Sequence, residues 1–197
     1  MSSIAFLDCS DGRNKEFNKG TIEVKSANSQ KDSPLGKPVG IVLHWSAGYK
    51  NQVWDEYHFN VAEMYGLPVV VKTLKLSQKG QHLWKRNTGM IGVSISAMAT
   101  TELTPSPAQC DATAILVAEL CAWKQIDPCG EITLTGFDKT ITMFAVEDHA
   151  AYAKVDGYFP DRWDIGKYFN VVMPKIREYY RDLKSGKRKF QFNTLFD

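Results

Sequence analysis

The feature that most constrains this chain is the run from Val39 to His44, "VGIVLH". A short apolar stretch after Gly-Lys-Pro reads as a buried strand. It ends on an imidazole, and the small residues Ser46, Ala47 and Gly48 follow closely. A histidine in that place is either a core residue satisfied by a backbone carbonyl or a functional group set at the end of a strand. The rest of the chain has to separate these two readings.

The organisation around the run is mixed. Residues 1–38 are polar and rich in Ser, Asn, Lys and Gly, which predicts an irregular arm packed on the domain, with one short strand at "IEVKS". A domain over residues 39–185 follows. "SAGYKNQVWDE" reads as a polar connection with at most a helical turn. "YHFNVAEMYGLPVVVKTLKL" reads as two strands turning at Tyr65-Gly66, and "MIGVSISAM" as a strand in which Ile91, Val93 and Ile95 alternate with Gly92, Ser94 and Ser96. The clearest helix opens at Pro105 and Pro107, where proline is tolerated. It carries Ala112, Ile115, Leu116, Leu120 and Trp123 on one stripe and stops at "DPCG". "EITLTGF" is a further short strand. The last helix runs from about Lys167 to Leu183, with Pro174 as a point of kinking. Tyr168, Phe169, Val172, Met173, Ile176, Tyr179, Tyr180 and Leu183 share one face of it. Residues 186–197 read as a basic tail. The predicted class is α/β, a mixed central β-sheet flanked by α-helices.

Composition bounds the function. A chain of 197 residues with 44% hydrophobic residues can bury a real core in one domain. The net charge of +2, from 24 basic and 22 acidic residues, is too balanced for a nucleic-acid binder. "KSGKRKF" is locally basic and is expected to be solvated, though an anionic surface such as a cell wall can attract it. No apolar run of about 18 residues predicts membrane insertion. The N-terminus lacks a basic leader followed by an apolar stretch, so the expectation is cytoplasmic synthesis without a signal peptide. Cys9, Cys110, Cys121 and Cys129 form no C-x-x-C pair, and free thiols are expected.

"VEDHAAYAKVDGYFPDRWDIGKYF" supplies the partners that His44 needs. It contains His149 and, in "RWDIG", Asp164. Two imidazoles and a carboxylate are a donor set for catalytic zinc, which takes three protein ligands and keeps one position open. An ion so held lowers the pKa of water to about 7 and polarises a carbonyl.

Several ordered blocks together resemble the zinc-dependent N-acetylmuramoyl-L-alanine amidases, the group that includes amidase-type phage lysozymes and the peptidoglycan recognition proteins. "IVLHWSAG" is similar to the family's strand that ends in its first histidine ligand. "YHF" at Tyr57–Phe59 is similar to its Tyr-His-Phe strand. "HLWKRNTGMIGVSI" resembles the block with a histidine, an Asn and then Ile-Gly-Val. "LTPSPAQCDATAILVAEL" resembles the helix that opens with Thr-Pro and carries a Gln. The resemblance runs from about Gly40 to Phe169. It implies zinc on His44, His149 and Asp164, and hydrolysis of the amide between N-acetylmuramic acid and L-alanine in peptidoglycan. It gives Tyr57 the task of assisting the attacking water, and Ser94 the position where recycling-type members place a glutamate. Arg162 stands where the family has lysine or threonine, and a cation there stabilises an oxyanion. Asp-Ile-Gly replaces the family's Asp-Pro-Gly, and the segment between His149 and Asp164 is longer than usual. Asp161 and Asp156 therefore stay open as third ligands.

The same resemblance sets His82 near the substrate groove; Asn87 either binds the peptide stem or caps a turn, the turn being favoured, and Trp84 is a candidate sugar-stacking wall. Trp45 is expected to pack beneath the site. His58, pointing away from Tyr57 along a strand, is expected to be structural. The expected function is a phage-type lysin, a monomer acting on the cell wall after release. The Tyr-His-Phe strand and the missing glutamate favour it over a wall-recycling amidase. A non-catalytic peptidoglycan-binding module of the same fold is the alternative from another class.

Overall fold

Six strands form the central sheet of the computed structural model, which describes residues 4–98, 102–136, 139–158 and 164–196. Numbered in chain order, the strands are β1 (Ala5–Asp8), β2 (Lys15–Phe17), β3 (Gly20–Lys25), β4 (Gly40–Trp45), β5 (Gln52–Trp54), β6 (Phe59–Met64), β7 (Leu67–Lys72), β8 (Met90–Ile95), β9 (Glu131–Thr135), β10 (Thr140–Phe144) and β11 (Val146–Asp148). The helices are α1 (Pro107–Lys124), α2 (His149–Asp156) and α3 (Phe169–Lys184). The central sheet has the order β1-β7-β6-β8-β4-β11. All its pairs are parallel except β6–β7, which run antiparallel. Tyr65 and Gly66 join these two, with φ of 52° and 77°, as a two-residue hairpin turn of that hand requires.

The strands at the middle of this sheet are covered on both faces, so β8 is buried at all of its positions, the serine and glycine included. On one face Ile41, Leu43, Phe59, Val61, Ile91 and Val93 pack with α1 and α3. On the other, Val42 and Met90 meet Leu83, Leu134, Ile141 and Tyr152, from the loop before β8, the β9–β10 hairpin and α2. His44 continues the Val42 side of β4, because side chains alternate along a strand.

The start of α1 is fixed locally. Ser106 and Gln109 form a reciprocal capping box, and Pro107 follows the cap. Gln109 then donates its side-chain amide to the carbonyls of Val61 (2.9 Å) and Ser96 (3.1 Å), tying the helix to the sheet. No described helix is long and apolar enough to cross a membrane.

Four sequence expectations change. The N-terminal segment is not irregular. Its β1 joins the central sheet beside β7, and β2 and β3 form a small sheet with β5. The connection after β4 hides β5, whose short span of Gln-Val-Trp has too few residues to show a period. Helix α1 has no narrow apolar stripe: buried residues surround it, because the sheet lies on one side and α3 on the other. Trp123 is exposed, covered only in part by Phe190 and Phe196. Finally, the segment after residue 190 is not a free tail. Phe192, Leu195 and Phe196 enter the core cluster of α1 and α3, while Lys184–Lys189 stay largely in solvent.

Candidate metal centre

Strand register builds the site. β11 lies parallel to β4 with Asp148 opposite Leu43, so the next residue, His149, arrives beside His44. Asp148 caps α2 by accepting the amide of Ala151 (2.7 Å), which makes His149 the first residue of that helix. The chain returns at Asp164, whose carbonyl accepts the amide of Ala150 (2.8 Å). Three residues from two strand ends and a loop thus meet at the C-terminal edge of parallel strands, the usual place for a site in such sheets.

The donors converge. His44 Nδ1 lies 3.4 Å from Asp164 Oδ2, and His149 Nδ1 lies 3.3 Å from the same oxygen. One ligand atom from each of the three residues lies within 4.8 Å of the others. Bonds of about 2.0–2.2 Å in a tetrahedron separate neighbouring donors by roughly 3.3 Å, so the spacing and the donor types both fit zinc. All three side chains are buried. Burial alone would raise the Asp164 carboxyl, but hydrogen bonds from His149 and His44, with their charge, hold it well below the usual carboxylate range. The group can therefore hold a divalent ion.

Tyr57 precedes β6 rather than lying on it. Its ring is 4.9 Å from that of His44 and 6.2 Å from that of His82. Tyr57, His149 and Trp84 line one cleft of about 600 Å³, which Gln30 of the N-terminal segment also borders. That segment is fastened there by Asp55, which accepts the amides of Ala27 (2.7 Å) and Asn28 (2.9 Å), and by Gln81, which accepts from Ser29 (2.8 Å). Ser94 is level with His44 in the β4–β8 register. Its hydroxyl is buried and is one of two buried side-chain polar atoms among the described residues without a hydrogen-bond partner.

The other expected site residues fall differently. Arg162 and Asp161 lie outside the described residues. Asp156 is engaged by Arg86, whose Nε reaches both carboxylate oxygens at 2.9 Å, so it is not part of the ligand group. Asn87 borders the cleft and holds a loop: its oxygen accepts the amides of His82 (2.9 Å) and Leu83 (2.8 Å), and its nitrogen donates to the Leu83 carbonyl (2.8 Å). Trp84 stacks on Tyr158 at 4.3 Å and 6°, with the Lys85 ammonium 5.1 Å from its ring. Trp84 borders the cleft as half of an aromatic pair and stays half exposed. Trp45 packs on the α1 side against Tyr168, as expected.

His82 was expected at the substrate groove, and it does border the cleft. Its ring, however, is buried beneath the site. Nδ1 lies 3.1 Å from His44 Nε2, and Nε2 lies 3.1 Å from the Met90 carbonyl. The ring rests on Gly92, where a Cβ would come within 2.7 Å of it. That contact gives the glycine of Ile-Gly-Val a physical reason. No sequence signal could have found the His44–His82 contact, because the two residues come from separate elements and a backbone carbonyl completes the pair.

His58 is structural, as expected. Its Nε2 donates to the Gln78 carbonyl (2.9 Å), and its Nδ1 accepts the Gly92 amide (3.0 Å). Burial lowers its pKa to about 4, outweighing the bond to Gln78. The unfolded value is about 6.5, so the unfolded chain takes up this proton first. The stability is fully present above pH 6.5 and is lost as the pH falls towards 4. Over that window His58 alone is expected to remove about 3 kcal/mol. Urea unfolding at pH 7 and pH 4 should show a smaller loss for His58→Gln than for the parent by about that amount. An equal loss in both would contradict it.

Among solved structures that share this fold is the Staphylococcus aureus hydrolase AmiA in complex with its ligand. Its TM-score is 0.50 at 16% identity, over 85% of this chain and 87% of that one. Another is the Ph2119 endolysin from Thermus scotoductus MAT2119 bacteriophage Ph2119, with a TM-score of 0.50 at 14% identity, over 87% of this chain and 98% of that one. No protein-family model matches the sequence, and no curated protein matches it. The chain has the fold of the amidase and peptidoglycan recognition protein group, a mixed central sheet with flanking helices.

Proposed function

We propose that this protein is a zinc-dependent N-acetylmuramoyl-L-alanine amidase, a phage-type lysin that acts on peptidoglycan. The observation that carries the reading is the convergence of His44, His149 and Asp164 within 4.8 Å beside an open cleft. Likeness of fold to a hydrolase and an endolysin supports it.

His44 and His149, each through Nδ1, and Asp164 through a carboxylate oxygen would hold the ion. Bound there, zinc supplies Lewis acidity for a carbonyl and acidifies water at neutral pH. The chain's own residues do the rest. The cleft positions the lactyl–alanine amide, and its walls include Gln30 from the N-terminal segment. Tyr57, whose ring lies beside that of His44, orients the attacking water and takes part in moving its proton to the departing amine. Arg162, assigned by resemblance, neutralises the developing oxyanion. Ser94 in place of a glutamate leaves Tyr57 as the residue for the water and favours the lysin over the recycling enzyme. No covalent enzyme intermediate is required.

The test is mass spectrometry of purified cell wall digested by the zinc-loaded protein, together with elemental analysis. We expect one zinc per chain, a new free amine on L-alanine and a free lactyl carboxylate on the sugar. Bound zinc with no cleavage would favour the binding module. Products with the lactyl–alanine bond intact would overturn the proposed activity.

A further inference from the structure

A histidine ligates a metal only through a nitrogen that carries a lone pair. His44 turns Nδ1 towards Asp164, so a metal held there requires the proton of His44 on Nε2. The structure shows what places it there. The Met90 carbonyl, 3.1 Å from His82 Nε2, can only accept a hydrogen bond. His82 Nε2 is therefore the protonated nitrogen, and His82 Nδ1 keeps its lone pair. That lone pair faces His44 Nε2 at 3.1 Å and accepts its N–H. Each link has one consistent assignment, running from a backbone carbonyl through two imidazoles to the Asp164 side of His44.

The supports of His82 are as fixed as its partners. Met90 opens β8 and pairs with Gly40 at the start of β4, so the terminal carbonyl belongs to the strand next to the one that bears His44. The His82 amide is capped by Asn87 (2.9 Å). Gly92 leaves the ring its space, with a Cβ there falling 2.7–2.9 Å from three ring atoms. His82 is buried.

We propose that His82 is a positioning residue for the metal centre: by accepting the Nε2–H of His44, it fixes the tautomer and orientation in which His44 Nδ1 can ligate. This rests on the metal-centre reading above and deepens it. It gives His82, Met90 and Gly92 one shared task. Outer partners of metal-bound histidines fix tautomer and ring orientation in this way, and losing one weakens metal binding about 10–100-fold.

The first measurement needs no metal. Long-range proton–nitrogen NMR of the metal-free protein should show a proton on His44 Nε2 and none on His82 Nδ1, whatever Asp164 does to His44 Nδ1. A His44 bare at Nε2, or a proton on His82 Nδ1, would overturn the proposal. The second is zinc affinity by chelator competition. His82→Phe keeps a ring and removes the acceptor, so affinity should fall about 10–100-fold. His82→Asn places a carbonyl oxygen on the same carbon that bears Nδ1, so it should restore most of that loss. Unchanged affinity in a folded His82→Phe variant would refute the role, and so would equal losses in both variants. If His82→Phe does not fold, Gly92→Ala pushes the imidazole away without deleting it and should weaken zinc in the same direction; unchanged affinity there counts against the proposal. A parent protein that binds no zinc would remove the amidase reading, while the tautomer spectrum would still decide the His44–His82 assignment.

Discussion

Alanine in place of His149 is expected to abolish stoichiometric zinc binding and to cut release of stem peptides from purified wall by more than about a hundredfold. The magnitude follows from position: changes to residues that merely support a ligand lower affinity or activity about 10–100-fold, and a ligand itself matters more. The fold should survive. His149 opens α2, where alanine is a good helix former, and the cap belongs to Asp148, whose carboxylate still accepts the Ala151 amide. Asp164 would keep His44, 3.4 Å away, but two donors do not make a closed zinc site. Circular dichroism and elemental analysis on one preparation separate loss of metal from loss of fold. A folded His149→Ala protein that hydrolyses wall at the parent rate would end the zinc mechanism.

The second large effect lies on the opposite face of the sheet. Glu119, fully buried on α1, accepts the amides of Gln191 (2.7 Å) and Phe192 (2.8 Å). Burial raises its pKa, and these two bonds only partly offset that. The carboxylate therefore anchors the segment that carries Phe192, Leu195 and Phe196 into the core. Glu119→Ala leaves two N–H groups without their acceptor and opens a cavity, which should cost about 2–4 kcal/mol. For a chain of this size that lowers the melting temperature by on the order of 10 °C. Amide exchange at Gln191 and Phe192 should quicken, while wall hydrolysis well below the melting point should hold, because Glu119 does not border the cleft. An unchanged melting temperature, with these amides still protected, would show that the segment is held by its aromatic side chains alone.

The two predictions mark what could and could not be read along the chain. Periodicity disclosed β4, β6, β7 and β8, since each carries enough apolar residues in a row to show that it is covered. Tyr65-Gly66 disclosed the hairpin, because few residue pairs take positive φ twice. The prolines at 105 and 107 disclosed the start of α1. His44, His149 and Asp164 were legible as a set because their chemistry is specific and because the ordered blocks resemble a family. That Asp156 is engaged elsewhere was not legible. It needed the sight of Arg86 holding Asp156 from 70 positions away.

Glu119 and His82 show the same limit from the other side. A glutamate in the middle of a helix looks like a solvated residue until the C-terminal segment is laid against it. A histidine before a Leu-Trp pair looks like a groove residue until the ring is found between His44 and a main-chain carbonyl. The sequence by itself determined the central strands β4, β6, β7 and β8, the helices α1 and α3, and which residue types were available for a metal, since these depend on local stereochemistry and on side-chain chemistry. Tertiary structure alone decided that β1 belongs to the central sheet, that the last residues are core, and that His82 lies between His44 and the Met90 carbonyl. Those outcomes are set by hydrogen-bond partners distant in the chain, and a backbone acceptor leaves no letter in the sequence to announce it.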